Sequence, residues 1–177
     1  MTDPSRAHAD DDARTLFRHA MAHLGAAVSV ITTDGPHGRC GVTASAVCSV
    51  TDTPPTLLVC LNRSSSTHAT FTSHSSLCVN VLPAEHEPLA RHFAGLTNLP
   101  MDARFGQTGW DEGPGGLPVL RDALASVQGT IVEMKDVGSH TVLFVEATAI
   151  RVRGEGDALI YFGRAFHRVG KVVAEQD

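Results

Sequence analysis

The densest polar cluster in the chain is Asn62-Arg-Ser-Ser-Ser-Thr67, one guanidinium and four hydroxyls following directly on an apolar run. If a helix starts there, its free N–H groups, the Arg63 side chain and the hydroxyls converge where an anion could sit. A plain helix cap beside a solvated Arg would account for the same residues. A second candidate is Gly41-Val-Thr-Ala-Ser-Ala-Val-Cys48, where small or hydroxylated side chains let a flat ligand reach backbone N–H groups. Close packing against a neighbouring strand is the other reading. Gly138-Ser-His140 and Tyr161-Phe-Gly-Arg-Ala-Phe-His167 add a His, an Arg and several aromatics at strand ends, where barrels carry their sites.

The elements that must hold these groups can be read from periodicity. Residues 1–12 are polar and aperiodic and are expected to form a disordered lead, leaving residues 13–177 as one domain. Leu16, Phe17, Ala20, Met21 and Leu24 recur at helical spacing until Gly25. A hairpin follows, Ala26 to Thr33 and Cys40 to Val50, turned by Asp34-Gly-Pro-His-Gly38. Thr56 to Leu61 is apolar on both faces and is predicted to be a central strand; the hydroxyls of Ser64 to Thr67 are predicted to cap a short helix through Phe71. Leu77 to Leu82 is a further strand, and Pro83 opens a second helix with Leu89, Ala90 and Phe93 on its apolar face. Gly95 to Pro118 reads as a long loop or lid, and Leu124 to Lys135, Thr141 to Arg153 and Ala158 to Phe162 complete about seven strands. The chain is therefore expected to be mainly β with a few short helices, a barrel or sandwich and no doubly wound sheet.

Composition narrows the function. With 14 Lys+Arg and 19 Asp+Glu the net charge is −5, which gives no attraction to nucleic acid or to anionic lipid. Apolar runs are far shorter than the roughly 20 residues needed to span a bilayer, and the acidic start Asp10-Asp-Asp12 does not resemble a secretory signal. A cytoplasmic protein is expected, with neither nucleic acid nor membrane as partner. In that compartment Cys40, Cys48, Cys60 and Cys78, which form no Cys-x-x-Cys pair, are expected to be reduced core thiols. His19 and His23 stand one turn apart but lack the Glu and the third ligand of a zinc helix, so no metal is expected. No dinucleotide-binding glycine fingerprint, P-loop or nucleophile elbow occurs.

Taken together, Gly41-Val-Thr-Ala-Ser-Ala-Val-Cys-Ser-Val-Thr-Asp-Thr-Pro-Pro55, Leu77-Cys-Val-Asn-Val-Leu82, Ala90-Arg-His-Phe-Ala-Gly95 and Tyr161-Phe-x-Arg-x-Phe-His167 resemble the short-chain flavin reductase family, the reductase components of two-component flavin monooxygenases. The chain is most similar to the subgroup serving 4-hydroxyphenylacetate 3-monooxygenases, and next to the flavin reductases of pyrimidine utilisation. The resemblance implies an FMN-binding split β-barrel, usually a homodimer, that oxidises NADH or NADPH, reduces FMN or FAD and hands reduced flavin to a monooxygenase partner. It also implies site residues: Thr43, Ala44, Ser45, Ala46 and Val47 along the flavin ring, and Asn62, Arg63, Ser64, Ser66 and Thr67 at its ribityl and phosphate end. His140 would lie near the nicotinamide as the catalytic residue, with Tyr161, Arg164 and His167 beside it. Ser139 stands where the family motif often has Asp. A non-catalytic flavin or haem binder on the same barrel is the rival reading.

Overall fold

The computed structural model describes residues 4–170. Helix α1 (Pro4–Ala22) opens the chain, and the strands follow as β1 (Ala26–Ala27), β2 (Ser29–Thr33), β3 (Cys40–Ala44), β4 (Val47–Asp52) and β5 (Pro55–Asn62). After α2 (His68–Ser73) come β6 (Ser76–Val81), α3 (Glu87–Phe93), α4 (Met101–Phe105), β7 (Trp110–Glu112) and β8 (Pro118–Leu120). Two long strands, β9 (Ala125–Val137) and β10 (His140–Val152), precede the closing hairpin β11 (Ala158–Phe162) and β12 (Ala165–Val169). None of the described helices is long and apolar enough to cross a membrane.

One antiparallel sheet dominates, in the order β3-β2-β6-β9-β10-β5-β4. Its two edge strands, β3 and β4, are joined by only Ser45 and Ala46, so the sheet must curl until its ends meet, although no ladder links them. The carbonyl of Ala46 reaches across to the Cys60 amide at 3.0 Å. This is a split barrel with an open seam, in keeping with the expected fold class. A smaller sheet, β1-β11-β12, packs beside it, and β7 pairs with β8.

Strand β2 is buried along its whole length because it has a core on each face. Val28 and Val30 point to a cluster with Leu82, Leu89, Phe93, Phe105 and Leu159, under α3 and α4, whereas Ile31 points into the barrel with Val59, Leu61, Phe71, Leu77, Leu143 and Val145. Glycine is needed where α3 crosses β3: a Cβ on Gly41 would lie 2.5 Å from a ring carbon of the buried Phe93. Asn80, fully buried, ties this region to β8. Its Nδ2 donates to the Val30 carbonyl at 3.0 Å and to Thr32 Oγ1 at 3.1 Å, and its Oδ1 accepts from the Leu120 amide at 2.8 Å and from Ser126 Oγ at 3.3 Å.

Several expectations need correction. Of the lead expected to be disordered, residues 1–3 lie outside the described residues and the helix α1 already begins at Pro4, where Pro suits a first helical position and the alanines behind it favour helix. The strand expected over Cys40 to Val50 breaks at Ser45–Ala46, and Thr56 to Leu61 lies next to an edge and not in the centre of the sheet. The stretch from Gly95 to Pro118 is not one loop: it holds α4 and β7, and Phe105 and Trp110 stack edge-on with Phe93 at 5.0 and 5.9 Å. All four cysteines are free thiols, and Cys40 and Cys78 are core residues, but Cys48 is exposed on the edge strand β4. Burial pushes the Cys78 thiol up to about 12.

Candidate functional site

The seam between β3 and β4 opens into a cavity of about 250 Å³, lined by Val42 to Ala46 on one side and by Cys60, Leu61, Asn62, Ser65, Thr67 and His140 on the other. Small side chains at Ala44, Ser45 and Ala46 expose backbone here, and an edge strand leaves alternate N–H and C=O groups unpaired. Thr43 contributes main chain only, since its hydroxyl donates to the Ala90 carbonyl at 2.7 Å and so anchors α3 to β3. Cys60 is a neutral lining group, its thiol pushed up by burial.

Opposite the small-residue strand, β5 and β10 bring Asn62 and His140 into direct cross-strand register. His140 opens β10 straight after the turn at Gly138, whose φ of 57° suits glycine. Ser139 Oγ lies 3.0 Å from His140 Nδ1, which orients the imidazole and leaves Nε2 without a partner among the described residues. The hydroxyl of Ser139 thus makes the contact that a carboxylate at this position could make. Asn62 Oδ1 accepts both the amide and the hydroxyl of Ser64, each at 2.9 Å.

Arg63 is held to the β9–β10 turn. Its amide donates to the Ser139 carbonyl at 2.9 Å, and its Nη2 lies 3.4 Å from Asp136 Oδ2. Thr141 donates to Asp136 Oδ1 at 2.6 Å, so its oxygen accepts from His68 Nε2 at 2.8 Å and fixes that ring's tautomer. A larger cavity of about 1200 Å³ extends outward from here, lined by Asn62, Arg63, Ser64, His68, Gly138, Ser139 and His140, and by Arg14, Phe17 and Arg18 of α1.

A third cavity, of about 490 Å³, lies on the other side of Thr43 and Ser45, walled by Arg91, Leu96, Tyr161, Arg164 and Phe166. Arg91 stacks over the Phe166 ring at 5.1 Å while pairing with Glu87 at 2.7 Å. Arg164 sits in the left-handed region, φ 66°, at the β11–β12 turn.

The structure therefore brings Thr43, Ala44, Ser45, Ala46, Asn62, Thr67 and His140 to one cavity, and Arg63 and Ser64 to its mouth. Tyr161 and Arg164 are displaced from His140 into the third cavity. Three expected residues line none of these cavities: Val47 packs against the barrel core, Ser66 is exposed, and His167 turns back to the Phe162 carbonyl at 3.0 Å. Nor do hydroxyls cap α2: Thr67 is its N-cap without a side-chain bond, and Ser65 Oγ instead bonds Thr67 Oγ1 at 2.8 Å. The positive charge beside these hydroxyls is that of Arg63, and the helix that follows is only six residues long. Cys60, His68 and Asp136 were not marked as site residues by the sequence, and Ser65 only as one hydroxyl of the cluster. Among the described residues no cluster of three or more His, Cys, Asp or Glu could hold a metal ion.

Residues 21–170, which make up nearly all of this mostly β split barrel, match the flavin reductase like domain. The chain belongs to that family. It is 58% identical to the 4-hydroxyphenylacetate 3-monooxygenase reductase component of Pseudomonas aeruginosa, over 86% of this chain and 90% of that one. It is 55% identical to an FMN reductase (NADH) of Variovorax paradoxus, over 86% of this chain and 84% of the relative. Among solved structures, the NADH:FAD oxidoreductase of Streptomyces globisporus in complex with NAD and FAD fragments superposes with a TM-score of 0.81 at 25% identity, covering 100% of this chain and 99% of that one.

Proposed function

We propose that the protein is an NAD(P)H-dependent flavin reductase, the reductase component of a two-component monooxygenase acting on 4-hydroxyphenylacetate or a similar phenol. The observation that carries the reading is the seam cavity, where the exposed backbone of Val42 to Ala46 faces Asn62 and His140 across β3 and β5. The residues fit a flavin: the wall of small side chains admits a flat ring, hydroxyls stand where a ribityl chain would run, and Arg63 guards an anionic end. When bound, FMN or FAD would supply a ring that accepts hydride from NADH or NADPH and carries the electrons away.

The chain's own work is to bind, orient and shield. Backbone N–H groups from Thr43 to Ala46 hold the ring edge and balance negative charge on it. Asn62, Ser64, Ser65 and Thr67 hold the polyol, and Arg63 the phosphate. His140, steadied by Ser139, presents Nε2 to the open side of the seam, where the nicotinamide would stack. Tyr161 and Arg164 extend that groove past Ser45. The rest of the reading is a cytoplasmic homodimer that meets its monooxygenase through diffusing reduced flavin. Exposed apolar side chains on α1 (Leu16, Met21) and on β9 (Val132, Met134) support a second copy.

The test is NADH and NADPH oxidation by purified protein, crossed with FMN, FAD and no added flavin. Turnover that requires added flavin is expected; absence of turnover with every pair would overturn the reading.

A further inference from the structure

We propose that Arg18, with Arg14 one turn before it, forms a nucleotide-phosphate subsite that helix α1 carries to the mouth of the seam. The inference rests on the reductase reading for the identity of the nucleotide, though not for the presence of the subsite. Arg14, Phe17 and Arg18 fall at i, i+3 and i+4 of α1, one face of the helix, and all three line the cavity of about 1200 Å³. The facing wall is Asn62, Arg63, Ser64, His68 and the Gly138–His140 turn.

Every ionisable group lining this cavity is a guanidinium or an imidazole; no carboxylate lines it. The acids that approach from behind are already engaged. Asp136 lies 3.4 Å from Arg63 and accepts from Thr141, and Asp11 sits 3.8 Å from Arg14. Arg18 makes no ion pair with a described residue. Arg14 and Arg63 each keep one carboxylate partner and Arg18 has none among the described residues, so the cavity is left with positive charge that an anion lodged between the guanidiniums would offset. A phosphate or pyrophosphate group is the anion that matches several guanidiniums at once, because each can bond two of its oxygens.

Core packing does not fix this face. Phe17 remains 64% exposed, and the end of α1 is held by the Gly163 amide donating to the Ala22 carbonyl at 2.7 Å. A helix tethered at its end can close its cationic face onto a ligand without disturbing the barrel.

The shared chemistry is a nucleotide phosphate, supplied either by the flavin or by the nicotinamide dinucleotide, and two arms separate the sources. FMN and phosphate-free riboflavin are titrated by flavin fluorescence into the full-length wild type, Arg18→Gln and Arg14→Gln. NADH and phosphate-free 1-benzyl-1,4-dihydronicotinamide are compared in turnover. If the flavin is the source, Arg18→Gln weakens FMN binding by about tenfold, the scale of a lost charge-assisted hydrogen bond, and leaves riboflavin unchanged. If the dinucleotide is the source, flavin binding is unchanged and the KM for NADH rises by about tenfold, with the benzyl reductant unaffected. Arg14→Gln gives a smaller shift in the same arm, and Arg18→Lys recovers part of the loss. Unchanged values in both arms overturn the proposal, as do equal losses for the phosphorylated and phosphate-free ligands. The FMN and riboflavin titration needs no turnover, so it reads the subsite even if no pair of substrates reacts.

Discussion

His140 and Arg63 lie 77 positions apart in sequence, yet the β5–β10 pairing brings them to one corner, where their roles differ. His140 has one ring nitrogen fixed by Ser139 and the other open, which is the arrangement of a group that positions a reactant. His140→Ala should lower kcat by about tenfold to a hundredfold while changing flavin affinity little, as separate stopped-flow reduction and flavin titration would report. Arg63→Ala should do the reverse, costing about 1.5 kcal/mol of flavin binding, the low end for a charged hydrogen bond because the side chain is half exposed. Equal losses in both variants would mean that neither has a distinct role. At this scale the sequence was informative where chemistry is local. Asn62, Arg63 and Ser64 announce themselves by density, but nothing in Ser64-Ser-Ser66 says that Ser65, not Ser66, turns toward the cavity. His68 and Asp136 acquire their meaning only through Thr141, which lies 73 residues from the one and five from the other.

Between elements, the site depends on contacts that hold β3 and its surroundings in place. Gly41→Ala would drive a methyl into the Phe93 ring, whose position is set by Phe105 and Trp110, and should destabilise by about 1 to 3 kcal/mol. Because Thr43 anchors the middle of α3 to the same strand, that variant should also weaken flavin binding. Asn80→Ala would strip partners from the Leu120 amide and the Val30 carbonyl inside the core, at a cost of about 3 kcal/mol, read as a lower urea midpoint with an unchanged slope. The first hairpin, β6 and α3 were legible because alternation, turn residues and helical spacing are local signals. The passage from β3 to β4 was not. Gly41 to Val50 contains no Gly, Pro, Asn or Asp between its halves, and small side chains permit the change of partner strand with only Ser45 to mark it. Likewise Gly95 to Pro118 is rich in breakers, yet Phe105 and Trp110 fold it onto α3, a tertiary contact that propensity does not record.

For the molecule as a whole, His74 and His86 make stability depend on acidity. Burial is the leading cause that lowers both pKa values; for His74 the neighbouring His37 adds to it and Asp34 opposes it, and for His86 Arg153 adds to it while Glu85 and Asp122 oppose it. Each ring is thus harder to protonate in the fold than in the unfolded chain, whose reference value is 6.5. The unfolded state binds more protons in the window below that value, so stability is complete above it and falls as pH drops through the folded values. His74 Nδ1 donates to Thr33 Oγ1 at 2.9 Å and Nε2 accepts from the His37 amide at 3.3 Å, an acceptor that protonation removes, so the loss is felt at the first hairpin. Thermal unfolding from pH 7.5 down to about 5 should show a declining Tm, and His74→Gln should flatten the decline. A slope unchanged in that variant would assign the dependence elsewhere.

The seam has a kinetic consequence as well. Strands β6 and β9 are hydrogen-bonded on both sides, whereas β3 and β4 end the sheet and meet only through Ser45–Ala46. Deuterium should therefore enter the outward amides of β3 and β4 long before it enters the ladder between β6 and β9. A ligand lodged along those amides would act as the missing stave of the barrel, so its residence time could be read from the protection it confers on a few backbone positions, with no chromophore needed.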